Sequence, residues 1–230
     1  MHTVYIKNKN WLQFQAPQAA SWAVKCICKA KQACCDTLDS SSWLTKNKFS
    51  IKEVYNLLKN QTGKTQWARY VWNRLPIPKH RFTLWVLLLE RLKTRDRLFQ
   101  YGVCVDNLCP LCGISVETCA HLFFDCVYSR KLLADLMAWL GLSTHITSVI
   151  LILQWIRRNC KSVFKRKVFY AAMAGGVYQI WKARNSAVWD LSVPTIVSLL
   201  HSLQFDIKHR ILSLSSKKLS DADREWLVAL

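Results

Sequence analysis

The sequence predicts a mainly α-helical protein, a multi-helix domain with a small module inserted between its helices. Apolar residues recur at helical spacing through most of the chain, and the alternation typical of strands is almost absent. Four cysteines and one histidine crowd into residues 109–126, where we place the inserted module. Hydrophobic residues make up 51% of the 230 positions, so we expect a buried core that contains many of the 11 tryptophans.

The first 48 residues are interpreted as a basic N-terminal segment. Residues 1–35 hold five lysines and no acidic residue, and "ASWAVKCICKAKQACC" indicates a short basic helix. Four cysteines lie here without a histidine nearby, and their spacing fits no common zinc pattern. We expect packed or free thiols at Cys26, Cys28, Cys34 and Cys35.

Residues 49–142 are predicted to form the central domain. Ser50 and Glu53 suit a capping box at the start of a helix over 49–59. A short amphipathic element follows at 66–75. A buried helix is expected over 79–92, with an apolar stripe formed by Phe82, Trp85, Leu88, Leu89 and Leu92. Thr94 is placed to cap the next helix, which Gly102 closes, and "SRKLLADLMAWLGL" gives one more helix that ends at Gly141.

Residues 149–230 are predicted to form a C-terminal helical region, which the stretch "GLSTHITS" links to the central domain. Helices are expected over 148–160, 166–190 and 194–214, the last with Pro194 at its first position. The pair Gly175–Gly176 lies within the second of these helices. It indicates either a kink or a close contact with another helix.

The spacing Cys109-x2-Cys112-x8-His121-x4-Cys126 is typical of a zinc site. Three thiolates and one imidazole fill a tetrahedral Zn²⁺ shell and leave no position for a catalytic water, so the pattern predicts one structural zinc ion. Alternatives are that Cys104 or Cys119 replaces a ligand, that His121 is an ordinary half-buried histidine, or that the thiols hold no metal. If residues 117–126 are helical, Cys119 points away from His121.

The formal net charge is +19, which favours a polyanionic partner, most often nucleic acid (RNA, DNA or their hybrid). The alternative is a basic fragment whose acidic counterpart lies elsewhere in a longer protein. The positive charge is concentrated outside the cysteine-rich stretch, in residues 64–97 and 157–167. The candidate phosphate contacts are Arg69, Arg74, Lys79, Arg81, Arg91, Lys93, Arg95, Arg97, Arg157, Arg158, Lys161, Lys165, Arg166 and Lys167.

The sequence lacks the features of a secreted or membrane-spanning protein. The first residues lack the apolar run of a secretory signal, and the longest apolar runs are too short to cross a bilayer. Ten cysteines without such a signal favour a reducing, intracellular compartment, nuclear or cytoplasmic. We expect no membrane partner and no small-molecule substrate.

Three quoted stretches together resemble one family. "FSIKEVYNLL", "VWNRLPIPKHRFTLWVLLLERLKTRDRL" and "CPLCGISVETCAHLFFDCVYS" closely resemble the zinc-binding domain that follows reverse transcriptase in plant LINE-type (non-LTR) retrotransposons. Residues 49–140 follow that pattern nearly throughout, the N-terminal flank looks like the segment upstream of it, and "IWKARN" at 180–185 resembles a downstream helix. The resemblance implies the zinc ligands Cys109, Cys112, His121 and Cys126, and a reverse transcriptase as a partner.

Two departures and one absence qualify the resemblance. The family often carries a tryptophan soon after the last cysteine, where this chain has Leu132 or Leu133, and the pattern does not require Cys119. The chain has no Asp-Asp pair of the kind that holds two metal ions in a polymerase, so we expect no polymerase or nuclease activity. The expected function is a non-catalytic, zinc-stabilised accessory module that binds nucleic acid. The alternatives are a protein-interaction scaffold and a retroelement remnant without function.

Overall fold

A computed structural model describes residues 13–37, 65–143, 148–214 and 219–230 of the chain, with the side chains of 33–37 left out. The chain divides into two compact units, residues 1–64 and 65–230. The helix predicted over 49–59 and residues 144–147 of the predicted link fall outside the described residues. The predicted domain boundaries stay predictions.

In the first unit the basic helix is confirmed as α1, Trp22–Thr37. Phe14, Ala20 and Val24 form a small buried cluster against it, and the Lys31 ammonium donates to the carbonyl of Phe14. Cys26 and Cys28 are half-buried free thiols. The side chains of Cys34 and Cys35 lie outside the described part of the chain.

The second unit is helical in its described residues, with one isolated antiparallel bridge between Leu108 and Val116. The mainly α-helical prediction is therefore confirmed. A single π-helical turn, His121–Asp125, lies in the cysteine-rich stretch. The α-helices are α2 Ala68–Val71, α3 Pro78–Leu88, α4 Arg95–Gln100, α5 Val127–Trp139, α6 Val149–Asn159, α7 Val163–Trp189, α8 Ile196–Leu214 and α9 Asp221–Ala229.

The segment between α2 and α3 is a turn held by side chains. The element expected over 66–75 shortens to four residues because the Asn73 side chain donates to the carbonyl of Tyr70 and accepts from the amide of Leu75. The Arg81 guanidinium donates to the Asn73 carbonyl. Arg210 of α8 donates to the carbonyls of Arg74 and Leu75. This turn is therefore fixed from both sides.

The long helix α7 is the centre of the second unit. It packs against α2, α3, α5, α6, α8 and the π-helical turn, and residues 168–177 are buried without interruption. Gly175 and Gly176 mark close contacts with neighbouring helices, one of the two predicted outcomes. A Cβ on Gly175 would lie 2.3 Å from Leu203 Cδ1, and one on Gly176 would lie 2.8 Å from Leu136 Cδ2.

The buried face predicted for α3 is wrong except at Leu92, which is buried but lies beyond the end of the helix at Leu88. Phe82 is 56% exposed and Trp85 is only half-buried, whereas the face carrying His80, Thr83, Leu84 and Leu87 is buried. This helix has apolar residues all round, so the period alone does not select a face. The buried face is the one that α7 covers, where the ring centroids of His80 and Tyr178 lie 4.5 Å apart.

The expectation that many tryptophans are core residues is confirmed only in part. None of the nine tryptophans in the described residues is fully buried. Six are half-buried against the core, and Trp22, Trp72 and Trp189 are exposed. A large indole rarely loses all contact with water.

Among the described residues, no helix combines the length and the apolar character needed to cross a bilayer.

Candidate metal centre

The loop that carries the first two cysteines is a tight backbone turn. Cys109 receives a hydrogen bond at its carbonyl from the amide of Gly113, and its own amide donates to Ser115. Gly113 has φ +69°, a left-handed conformation that a glycine adopts without strain. The turn brings Cys109 and Cys112, three positions apart, to one side.

The other two candidate ligands lie at the two ends of the π-helical turn. The amide of Cys126 donates to the carbonyl of His121 at 2.8 Å, which closes an i→i+5 turn. In an α-helix, residues five apart would point about 140° from each other. The wider turn brings both side chains toward the Cys109 loop. The hydroxyl of Thr118 accepts from the amide of His121 at 3.0 Å and fixes the start of the turn.

The four predicted ligands form one cluster. Their donor atoms all lie within 4.8 Å of one another. The Sγ atoms of Cys109 and Cys126 are 4.0 Å apart, and Cys112 Sγ lies 3.3 Å from His121 Nε2. A tetrahedral zinc ion with bonds of about 2.3 Å to sulfur and 2.0 Å to nitrogen separates such pairs by about 3.5–3.8 Å. The donor set and its spacing therefore fit one structural zinc ion.

A hydrogen bond joins the two buried thiols of the cluster. The hydrogen bond from Cys109 lowers the pKa of Cys126 to about 5, and the same contact, with burial, raises the pKa of Cys109. One thiolate is thus stabilised by the protein alone. Zinc binds cysteine as thiolate, so bound metal would release the remaining protons.

The bystander cysteines are placed outside the cluster. Cys119 does not join it, and burial raises the pKa of its thiol. Cys104 lies elsewhere, with its Sγ 3.6 Å from the carbonyl oxygen of Arg95. The expectation that Cys119 is not a ligand agrees with this geometry. Among the described residues no second group of three or more His, Cys, Asp or Glu side chains is placed to hold an ion.

A buried ion pair ties the zinc loop to α7. Glu117, fully buried, accepts two hydrogen bonds from the guanidinium of Arg184, at 2.7 Å from Nε and 3.0 Å from Nη2. Glu117 Oε2 also accepts from the backbone amide of Arg95 at 2.7 Å, at the start of α4. One carboxylate between the second and third ligands therefore joins the loop, α4 and α7.

Sequence reasoning missed this ion pair. Both residues stand in quoted motifs, Glu117 in "ETCAHLFFDC" and Arg184 in "IWKARN", but 67 positions separate them. A charged residue is usually exposed, and no local pattern marks these two as buried. Their presence in two motifs of one family pattern was the available signal.

Two of the predicted basic runs meet at one groove. The groove has a volume of about 1090 Å³ and lies between the turn at 72–75, the start of α7, the end of α8 and the start of α9. We call it the basic groove. Four of the predicted contact residues line it, namely Arg74 from the first run and Lys161, Lys165 and Lys167 from the second.

Other predicted contact residues bind the protein itself. Arg95 pairs with Asp106 at 2.6 Å, and Arg97 donates to the carbonyl of Glu90. Arg81 holds the turn at Asn73, as described above. The remaining residues do not line the groove, and contact with nucleic acid stays a prediction for all of them. They are Arg69, Lys79, Arg91, Lys93, Arg157, Arg158 and Arg166.

Residues 49–132 match a family model described as zinc-binding in reverse transcriptase. The match includes all four clustered ligands and Glu117, and it ends before α7, which carries Arg184. That family describes a zinc-binding region and not the catalytic polymerase domain. Comparisons with curated proteins and with solved structures found no match.

Proposed function

We propose that this chain is a non-catalytic, zinc-stabilised module that binds nucleic acid and derives from the reverse transcriptase of a plant LINE-type retrotransposon. The zinc ion stabilises the fold, and the basic groove is the contact surface. The matched family supports the origin in a reverse transcriptase, and the motifs quoted above support the LINE-type assignment. The module acts as an accessory to such a polymerase.

The observation that carries the proposal is the charge of the basic groove. Arg74, Lys161, Lys165 and Lys167 are four cations, and Asp223 is the one carboxylate among the described lining residues. Both oxygens of Asp223 already accept hydrogen bonds, from the hydroxyls of Ser162 and Ser220. Neutral hydroxyls leave the carboxylate its charge, so four cations and one anion give the described lining a net charge of +3, which attracts phosphate.

The experiment measures fluorescence anisotropy of labelled RNA and DNA oligonucleotides with the full, zinc-loaded chain at several salt concentrations. If four cations contact phosphates, log K falls with log salt with a slope of about −3, and affinity drops roughly 50-fold between about 50 and 200 mM salt. Absence of binding to every polynucleotide at low salt would refute the proposal.

A matched pair of variants locates the contact. K161Q/K165Q/K167Q removes three charges from the groove, and R130Q/K182Q/K208Q removes three charges from exposed residues that do not line it. The groove variant should lose at least about tenfold in affinity and about two to three units of salt slope, whereas the control should change little. Equal losses in both variants would mean that only net charge matters.

A further inference from the structure

We propose that the basic groove binds a single, unpaired nucleic acid strand, RNA or DNA, and that Trp72 at its edge stacks on a base. The inference rests on the proposed nucleic-acid binding and narrows it to one class of ligand. At about 1090 Å³ the groove exceeds the roughly 300–1,000 Å³ of pockets that hold a drug-sized molecule, so several nucleotides have room in it.

The first observation is an exposed aromatic platform that begins in the groove. Trp72 lines the groove and is 51% exposed. Its ring lies 6.0 Å from that of Trp85, which lies 5.6 Å from that of Phe82. Phe82 is itself exposed, on the face of α3 that the core leaves uncovered. The three rings therefore continue from the groove along the outside of α3.

Base stacking explains why such rings stand beside phosphate-binding cations. An aromatic side chain needs the flat face of a base, and a duplex hides its base faces in the stack. An unpaired strand offers a base face and a phosphate at each nucleotide. The groove presents both kinds of partner, Trp72 for bases and Arg74 with Lys161 and Lys167 for phosphates.

The wall that carries Trp72 is rigid before any ligand arrives. Arg81 holds the carbonyl of Asn73, and its guanidinium carbon lies 5.9 Å from the centroid of the Trp72 ring. Arg210 holds the next two carbonyls, those of Arg74 and Leu75. Because the turn is already fixed, binding loses little conformational entropy there.

The opposite wall is also fixed and positive. Ser162 caps α7 by accepting from the amide of Lys165, and the groove lies at the positive N-terminal end of this 27-residue helix. Lys165 lies over the ring of Trp226 at 5.1 Å, which holds its ammonium at the wall. The exposed Lys161 and Lys167 flank it.

The test compares strands and tryptophans in the full, zinc-loaded chain. Labelled single strands of about 15 nucleotides, one RNA and one DNA, are measured against the duplex of the same sequence. W72A removes the stacking ring, W72F keeps an aromatic face, and W189A removes a tryptophan that is 77% exposed and does not line the groove. Zinc content and circular dichroism verify that each variant is folded.

We expect the single strands to bind at least about tenfold tighter than the duplex. W72A should weaken single-strand binding about 5- to 100-fold at an unchanged salt slope, W72F should restore most of the loss, and W189A should match the parent protein. The RNA and DNA arms tell which strand is preferred.

Two results would overturn the inference and leave the proposed function standing. One is equal or tighter binding of the duplex, and the other is equal affinity of W72A and W189A, each with the groove-lysine variant still weakened. Tight binding of a protein partner to the aromatic platform, with no effect of W72A on oligonucleotides, would also overturn it. If no polynucleotide binds at all, the inference and the proposed function fail together.

Discussion

The guanidinium of Arg184 and the carboxylate of Glu117 form a bidentate ion pair, with Glu117 fully buried and the side chain of Arg184 4% exposed. The pair connects the loop between Cys112 and His121 to the C-terminal part of α7. A third bond, from the Arg95 amide, occupies the same carboxylate. The loop that carries the metal cluster is therefore anchored to the core by these three hydrogen bonds.

Removing one partner of this pair should be costly. In R184M the buried Glu117 carboxylate loses its cation, and we expect the free energy of unfolding to fall by about 3–5 kcal/mol. K182M, an exposed change two positions away on the same helix, is the control. Urea unfolding of the zinc-loaded proteins measures the difference. A double variant, E117M/R184M, should recover part of the loss, and an R184M as stable as K182M would contradict the prediction.

Zinc should bind once per chain and only through the clustered ligands. We expect metal analysis to give one zinc per chain in the parent protein and in C119S, and much less in C112S. A chelator should lower the melting temperature of the first two proteins because bound zinc contributes folding free energy. It should leave C112S unaffected. A parent protein whose melting is indifferent to the chelator would rule out a structural zinc.

The contacts at the glycine pair should not tolerate a methyl group. In G175A the new Cβ would lie 2.3 Å from Leu203 Cδ1, and Leu203 is fully buried. We expect a loss of about 1–3 kcal/mol from overpacking. G176A, at 2.8 Å from Leu136 Cδ2, should lose less. In a double-mutant cycle, L203A should cost less in the G175A background than in the parent, and strict additivity would show that the two sites do not touch.

The protein should become less stable as the pH is lowered, because of His80. Burial, together with the charge of Lys79, lowers its pKa from 6.5 to about 4. Its Nε2 has no hydrogen-bond partner, and the carboxylate oxygen Asp206 Oδ2 lies 3.9 Å away, beyond hydrogen-bond distance. Between pH 6.5 and 4, His80 is therefore protonated in the unfolded chain but neutral in the folded chain. The contribution is therefore complete above pH 6.5 and is lost as the pH falls toward 4.

The measurement compares the parent protein with H80Q. Between pH 7 and 5 the parent should lose roughly 2 kcal/mol more of its unfolding free energy than H80Q, from about 1.5 pH units of proton uptake. Zinc ligands titrate alike in both proteins, so their effect cancels in the difference. Parallel pH profiles would show that His80 is protonated equally in the folded and unfolded states.

The features that were predicted correctly are those determined by residues close to one another in the sequence. The four ligands lie within 18 residues, and their spacing sufficed to group them. The helices α5, α6 and α7 follow from local periodicity, although the ends moved by a few residues. The left-handed conformations of Gly102 and Gly141, at the ends of α4 and α5, were likewise readable from single glycines.

What failed depends on partners far along the chain. The face of α3 is selected by α7, about 90 positions later, and α3 itself is apolar on every side. The ion pair of Glu117 with Arg184 and the meeting of Arg74 with Lys161 at the groove also depend on tertiary packing. Local spacing has no information about such contacts, because each residue alone looks like an ordinary surface charge.

The buried pair also constrains how this protein can change over generations. A substitution at position 184 alone leaves an uncompensated anion beside the metal ligands, and one at position 117 alone leaves an uncompensated cation inside the longest helix. Each single step is therefore harmful, while a simultaneous exchange for two apolar residues should cost less than either one. Position 117 lies inside the stretch that family similarity covers, and position 184 lies beyond it. The two positions are nevertheless constrained as a pair, because neither side chain can be replaced alone without loss of stability.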